Sequence, residues 1–294
     1  MEKLTKIKLR LKTREALAGY AFLLPSLSGF SFFFLIPFAM SICYCFTKGI
    51  SGLEFAGLKN FKDLLESNAF ILASKNTLIF NLVNVPLIMI LSLLFALILN
   101  RKLKGAAYFR MFFILPLVVP VASVILIWQI VFSEYGALNN RLSDFGILTE
   151  DWLKTGWAIG ILTIVYIWKN CGYNIVLFMA GLGNIPVEYY EMAKIDGAGA
   201  FTCFKKITVP FLIPSGFFVL IISIINTFKV FREAYLLAGN YPHESIYMLQ
   251  HFMNNNFYSL SYQRLTTAAF LMTAVIVILV SALLKTEARF RKNL

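Results

Sequence analysis

Six runs of apolar residues, each long enough to cross a lipid bilayer as a helix, constrain this chain more than any other feature. They fall at roughly 18–45, 72–99, 108–132, 156–182, 211–232 and 264–284. An α-helix needs ~20 apolar residues to cover ~30 Å of hydrocarbon, and a buried strand is far shorter than that. The composition agrees: 14% of the 294 residues are charged, against ~25% in an ordinary soluble domain, and the mean hydropathy is +0.74. The fold class expected is therefore all-α and polytopic, with six transmembrane helices. The start, "MEKLTKIKLRLKTREALAGY", is basic and then apolar. Its apolar part runs on to about Phe46, past the ~7–15 residues of a signal-peptide core, and reads as a retained first span.

The net charge of +12 does not point to nucleic acid. Lys and Arg sit in short clusters beside the apolar runs, with no interleaved basic and aromatic patch for single strands. Short cytoplasmic connections favour basic residues. With the amino terminus inside, the inner segments hold Lys3, Lys6, Lys8, Arg10, Lys12 and Arg14, then Arg101, Lys102, Lys104 and Arg110, then Lys194, Lys205 and Lys206, then Lys285, Arg289, Arg291 and Lys292. Both termini are thus expected in the cytoplasm, with 1–17 a basic amino-terminal segment, 18–284 the membrane domain and 285–294 a carboxyl-terminal tail. The segment from Glu233 to Gln263 is too polar for a seventh crossing and is expected at a membrane surface.

Several chemistries lack their residues. Cys43, Cys45, Cys171 and Cys203 show neither metal spacing nor a disulfide framework. His243 and His251, the two histidines, are eight apart and match no helical metal pair, so both read as surface residues. No Gly-x-Ser-x-Gly occurs. The nearest approach to a P-loop, Gly52 to Lys59, has Leu58 where the motif needs Lys.

The cytoplasmic connection between spans four and five, 184–210, is a strongly polar stretch between two apolar ones. In "EYYEMAKIDGAGAFTCFKKITVP", Pro186 is expected at the first helical position just before it, with Glu188 and Glu191 in the first turn. Gly197 and Gly199 are expected to break that helix. Phe201 to Val209 would form a second short helix, and Pro210 would start span five. Exposed apolar residues at Met192, Ile195, Phe201 and Phe204, with small ones at Ala193, Ala198 and Ala200, suit insertion into a partner's groove.

"EMAKIDGAGAFTCFKKITVP" resembles the EAA loop of inner-membrane permease subunits of ATP-binding-cassette importers. The family pattern is Glu-Ala-Ala, three residues, Gly, nine residues and Ile-x-Leu-Pro. Glu191, Met192 and Ala193 precede Gly197, and Ile207, Thr208, Val209 and Pro210 follow at the matching distance. Met192 and Val209 are apolar replacements. "FLLPSLSGFSFFFLIPFAMSI", "FAGLKNFKDLL" and "FKVFREAYLLAG" are similar to the first permease of maltose-type and glycerol-3-phosphate-type systems. Where that family often has Gly-Gly-Pro after span five, this chain has Gly239, Asn240, Tyr241 and Pro242.

The resemblance implies a permease that forms a path for a sugar or oligosaccharide together with a second, different permease. It further implies two ATPase subunits, which would hold ATP and Mg, and an extracytoplasmic solute-binding protein. Glu191, Met192, Ala193, Asp196, Gly197, Ala198 and Phe201 would then couple to the ATPase. Glu191 would cap or hydrogen-bond the loop and Gly197 would permit its bend. An ion-coupled secondary transporter of a small polar solute is the alternative; it calls for an internal repeat and acidic coupling sites, neither of which the spans display.

Polar groups inside spans are costly, ~2.5–3.5 kcal/mol for a mid-span Lys, and by default point to function. Lys169, Asn170, Tyr173 and Asn174 form one stripe on span four. Asn81 and Asn84 lie on span two, and Ser223, Asn226 and Thr227 on span five. These are the candidate lining of a translocation path; amides and hydroxyls pair with sugar hydroxyls, and the rings of Trp168 and Tyr173 cover C–H faces. The competing role is helix–helix glue, and for Lys169 it is neutralisation by a carboxylate or helix end on the second permease. Pro86, Pro116 and Pro120 are expected to distort spans two and three.

Overall fold

A computed structural model describes residues 2–49, 54–100, 105–147 and 149–292. Arg101, Lys102 and Lys104 of the positive-inside reading, and Gly52 of the P-loop near-match, lie outside the described residues. The first span is α1 (Glu2–Phe30), a π-helical turn (Ser31–Leu35) and α2 (Ile36–Cys45), joined without a break. A two-residue hairpin, β1 (Thr47–Lys48) and β2 (Glu54–Phe55), and a short α3 (Lys59–Leu65) follow. Asn60 donates to the carbonyls of Cys45 at 2.9 Å and Thr47 at 2.8 Å, occupying groups that the end of α2 leaves without helical partners.

The remaining elements are α4 (Asn68–Leu99), α5 (Ala106–Val118), α6 (Val121–Phe132), α7 (Ala137–Asp144), α8 (Ala158–Gly183), α9 (Val187–Ile195), α10 (Ala200–Cys203), α11 (Val209–Phe228), α12 (Phe231–Ala238), α13 (Leu249–Tyr258) and α14 (Tyr262–Lys292). Among the described residues six helical stretches have the length and composition to span a membrane, the number expected, but the third is Val121–Asp144 rather than 108–132, with Tyr108–Val118 a shorter apolar helix before it. Their outward faces carry large apolar side chains such as Phe22, Leu82 and Ile127, which is what a lipid solvent selects.

The core lies where α4, α8 and α11 meet, with Phe80, Ile88, Leu162, Tyr166, Ile175 and Val219 buried together. Phe80 and Tyr166 pack edge to face at 5.4 Å. Close approach is built in at Gly172: a Cβ there would strike the backbone carbonyl of Phe113 on α5. Small residues at helix contacts serve this purpose in membranes, where dispersion and backbone proximity replace hydrophobic drive. A second cluster joins α3, α4, α13 and α14 through Leu64, Phe70, Phe252 and Ala268. A third joins α6, α8 and α12 through Ile125, Ile161, Val165 and Leu237.

Three expectations change. Span three does break, at Val119 and Pro120, both extended, because the residue before a proline is pushed out of the helical region; α4, by contrast, continues unbroken through Pro86. Span five does not run straight to Arg232. Helix α11 ends at Phe228 and α12 begins after a turn at Lys229 and Val230. Finally, His251 is not a surface residue. It is fully buried on α13, accepts from the Met248 N–H at 3.2 Å through Nδ1, and lies between the rings of Phe231 and Tyr247.

Candidate functional site

The loop between α8 and α11 is shaped by its own sequence. Pro186 is the residue before α9, extended with ψ 133°, so the helix starts one position later than expected, at Val187. Glu188 sits in the first turn, and Glu191 lies one turn further on. Helix α9 then stops in a paired carbonyl motif: Gly197 N–H donates to the Lys194 carbonyl at 3.0 Å and Ala198 N–H to the Ala193 carbonyl at 2.8 Å. This is a Schellman ending, which needs a left-handed residue between its two bonds. Gly197 supplies it with φ 77°, a conformation that costs other residues ~1–2 kcal/mol. The spacing of Ala193, Gly197 and Ala198 is thus the spacing of one helix stop.

After Gly199 the chain re-enters a helix at Ala200 and does not leave it. Helix α10, a π-helical turn (Phe204–Thr208) and α11 are continuous, so the second short helix is the foot of span five rather than a separate element. Two contacts tie α9 to that foot. The Tyr190 and Thr208 hydroxyls are 2.9 Å apart, and the rings of Tyr189 and Phe211 pack at 5.1 Å. From this frame Met192, Ile195 and Phe201 project with 64%, 85% and 75% of their surface exposed. Glu191 and Asp196 are exposed beside them, while Ala193 and Ala198 are half-buried. The Glu191 carboxylate makes no side-chain hydrogen bond or ion pair among the described residues, so it does not cap the loop as expected.

The polar stripe divides into two sets. Asn174 donates to the Ser223 hydroxyl at 2.9 Å, Asn81 accepts from the Thr227 hydroxyl, and Asn84 donates to Phe80 O at 3.0 Å and the Thr163 hydroxyl at 3.3 Å. All three asparagines are buried and bond α4, α8 and α11 to one another. Asn170, Tyr173 and Asn226 remain half-buried, Asn170 bonding back to the Tyr166 carbonyl at 2.8 Å.

Lys169 has its counter-ion within this chain: its ammonium contacts the Glu233 carboxylate of α12, and the two side chains are 15% and 8% exposed. From sequence alone Glu233 is expected at a membrane surface and the counter-charge of Lys169 on a second permease. The turn at Lys229 and Val230 corrects both, since it folds α12 back against α8. Glu233 could have been found from two signals, the unpaired Lys169 and the amphipathic run "FREAYLLA" directly after an apolar span.

Residues 88–289 match the family described as binding-protein-dependent transport system inner membrane component. The chain is 32% identical over 289 residues to the trehalose/maltose transport system permease protein MalF of Thermococcus litoralis, covering 97% of this chain and 98% of that one. It is 34% identical over 222 residues to the lactose transport system permease protein LacF of Rhizobium radiobacter, 74% of each chain. The fold also matches a crystal structure of a bacterial ABC transporter involved in the import of the acidic polysaccharide alginate. That match has a TM-score of 0.84 at 24% identity, over 96% of this chain and 99% of that one. The ion-coupled secondary transporter has no support in these similarities. The chain belongs to the family of inner membrane components of binding-protein-dependent transport systems and is a membrane permease of an ABC importer.

Proposed function

We propose that this permease carries a sugar or oligosaccharide, pairs with a second and different permease, and receives its driving force from two ATPase subunits that bind ATP and Mg. An extracytoplasmic binding protein would deliver the solute. The observation that carries the reading is the loop: a rigid helix–stop–helix with three exposed apolar side chains, fixed to the foot of a membrane span. Met192, Ile195 and Phe201 are the anchors that would seat in an ATPase groove, with Glu191, Ala193, Asp196, Gly197 and Ala198 shaping the element. Because α10 continues into α11, displacement of the seated loop passes into span five as a rigid body, the kind of hinge that links distant sites in alternating access.

The carbohydrate assignment rests on relatives whose names include trehalose, maltose and lactose transport, and on the amide and phenol groups of Asn170, Tyr173 and Asn226. These three are the path lining; Asn81, Asn84 and Asn174 hold the helices that carry it. The cytoplasmic placement of both termini and of the loop follows from the basic residues of the inner segments.

The test is co-expression of the tagged chain with its neighbouring transport genes and purification in detergent. A second permease and an ATPase should be recovered with it, and Gly197→Leu should release the ATPase while the two permeases stay together. Retention of the ATPase by that variant would remove the loop from the coupling role.

A further inference from the structure

A cavity of about 560 Å³ opens between the ends of α6 and α12 and the segment before α8. This is within the ~300–1,000 Å³ range of small-ligand sites. Apolar atoms, among them those of Leu153, Leu236, Leu237 and Ala238, make up most of its wall, and polar and aromatic side chains are set among them. Asp151, Lys154, Gln129, Tyr235, Tyr241 and His243 all face it.

The groups are held before any ligand arrives. Gln129 donates to the carbonyls of Leu236 at 2.8 Å and Leu237 at 3.1 Å, so its amide is spent on α12 and its carbonyl oxygen is left over. The Asp151 carboxylate accepts from Leu153 N–H at 3.3 Å and from Lys154 at 2.8 Å. Asn139, fully buried behind the wall, ties down the segment that carries Asp151: it donates to the carbonyls of Glu134 at 2.8 Å and Glu150 at 2.7 Å, and accepts from the Trp152 indole at 2.6 Å. Tyr241 stands at the rim with 83% of its surface exposed.

We propose that this cavity is a saccharide-binding subsite at the mouth of the bundle, on the side opposite the coupling loop. Fixed acceptors and an ammonium suit sugar hydroxyls, and the Tyr235 and Tyr241 rings suit the apolar C–H faces. Preorganisation through Asn139 and Gln129 removes ordering cost from binding. Glu233, the partner of Lys169, lies one helical turn from the cavity wall at Leu237 on the same face of α12. The subsite rests on the carbohydrate reading but is separate from Asn170, Tyr173 and Asn226.

The experiment is calorimetric titration of the assembled complex in nanodiscs with maltose, trehalose, lactose and arabinotriose. At least one should bind. Asp151→Asn should weaken it roughly tenfold, from the loss of hydrogen bonds to a charged acceptor, and Tyr241→Ala should weaken it about two- to tenfold, from the lost ring contact. If Asp151→Asn does not assemble, the exposed Tyr241 still reports. Binding of none of the four sugars overturns the subsite. So does binding that both variants leave intact while Tyr173→Ala abolishes it, or binding to the lone chain that disappears in the complex because a partner fills the cavity. Recovery of the ATPase and its release by Gly197→Leu are independent of all three outcomes, so the subsite can fail with the importer reading intact.

Discussion

The α9–α10 loop, proposed above as the coupling element, and the polar interior of the bundle are built from opposite kinds of information. In the loop, each feature depends on residues within a few positions: Ala193, Gly197 and Ala198 make one helix stop. In the interior, each feature depends on a partner far along the chain. Lys169 meets Glu233, Asn81 meets Thr227, and Asn174 meets Ser223. The loop is therefore exposed, tightly specified and nearly independent of packing. The interior is buried and holds only while every partner is present.

The largest effect should come from breaking the interior pair. Glu233→Ala leaves Lys169 charged and buried, which costs on the order of 3–5 kcal/mol, and the thermal midpoint of the detergent-solubilised chain should fall accordingly. Lys169→Met combined with Glu233→Leu should recover most of that loss, because two apolar side chains of similar volume remove the uncompensated charge. Equal losses in the single and double variants would show that the pair is not a unit. Gly197→Leu in the loop should lower the same midpoint by no more than the ~1–2 kcal/mol of left-handed strain, well short of the interior loss, which is the contrast between the regions in one measurement.

That contrast also explains what the sequence made legible. Six spans, the break at Pro120 and the loop could be read because apolar length, proline geometry and a glycine stop act locally. The fold-back of α12 could not, since nothing between Asn226 and Phe231 is a proline or glycine. The turn is held in place by packing of Val230, Ala234 and Leu237. The same limit applied to the stripe: period alone put Asn170, Tyr173 and Asn174 together, and only their contacts separate the bonded Asn174 from the open Tyr173.

His251 supplies a pH-dependent way to test the interior outside the spans. Burial pushes its pKa from 6.5 down to about 4. Between those values the unfolded chain binds a proton that the folded chain refuses, so stability is full above pH ~6.5 and is lost as pH falls toward 4. At ~1.4 kcal/mol per pH unit the loss is about 3 kcal/mol. The thermal midpoint should fall across that window, and His251→Phe should flatten the profile. A wild-type midpoint unchanged between pH 6.5 and 4 would mean that α13 admits water to the ring.

The smallest effect should come from the loop, and it should appear in transport rather than stability. Tyr190→Phe removes the hydroxyl that meets Thr208, leaving a buried Thr208 hydroxyl with one partner fewer. The cost is about 1 kcal/mol, too little to unfold a bundle whose core lies elsewhere. Its location is what matters: that bond is the polar tie between α9, which carries Met192 and Ile195, and the π-helical turn that leads into α11. A looser tie lets the loop move without moving the span. In the reconstituted complex Tyr190→Phe should therefore keep its ATPase subunits and its rate of ATP hydrolysis, and import fewer solute molecules per ATP. If hydrolysis and import fall by the same factor, the tie is structural, and force reaches span five through the Tyr189 and Phe211 ring contact and the continuous helix alone.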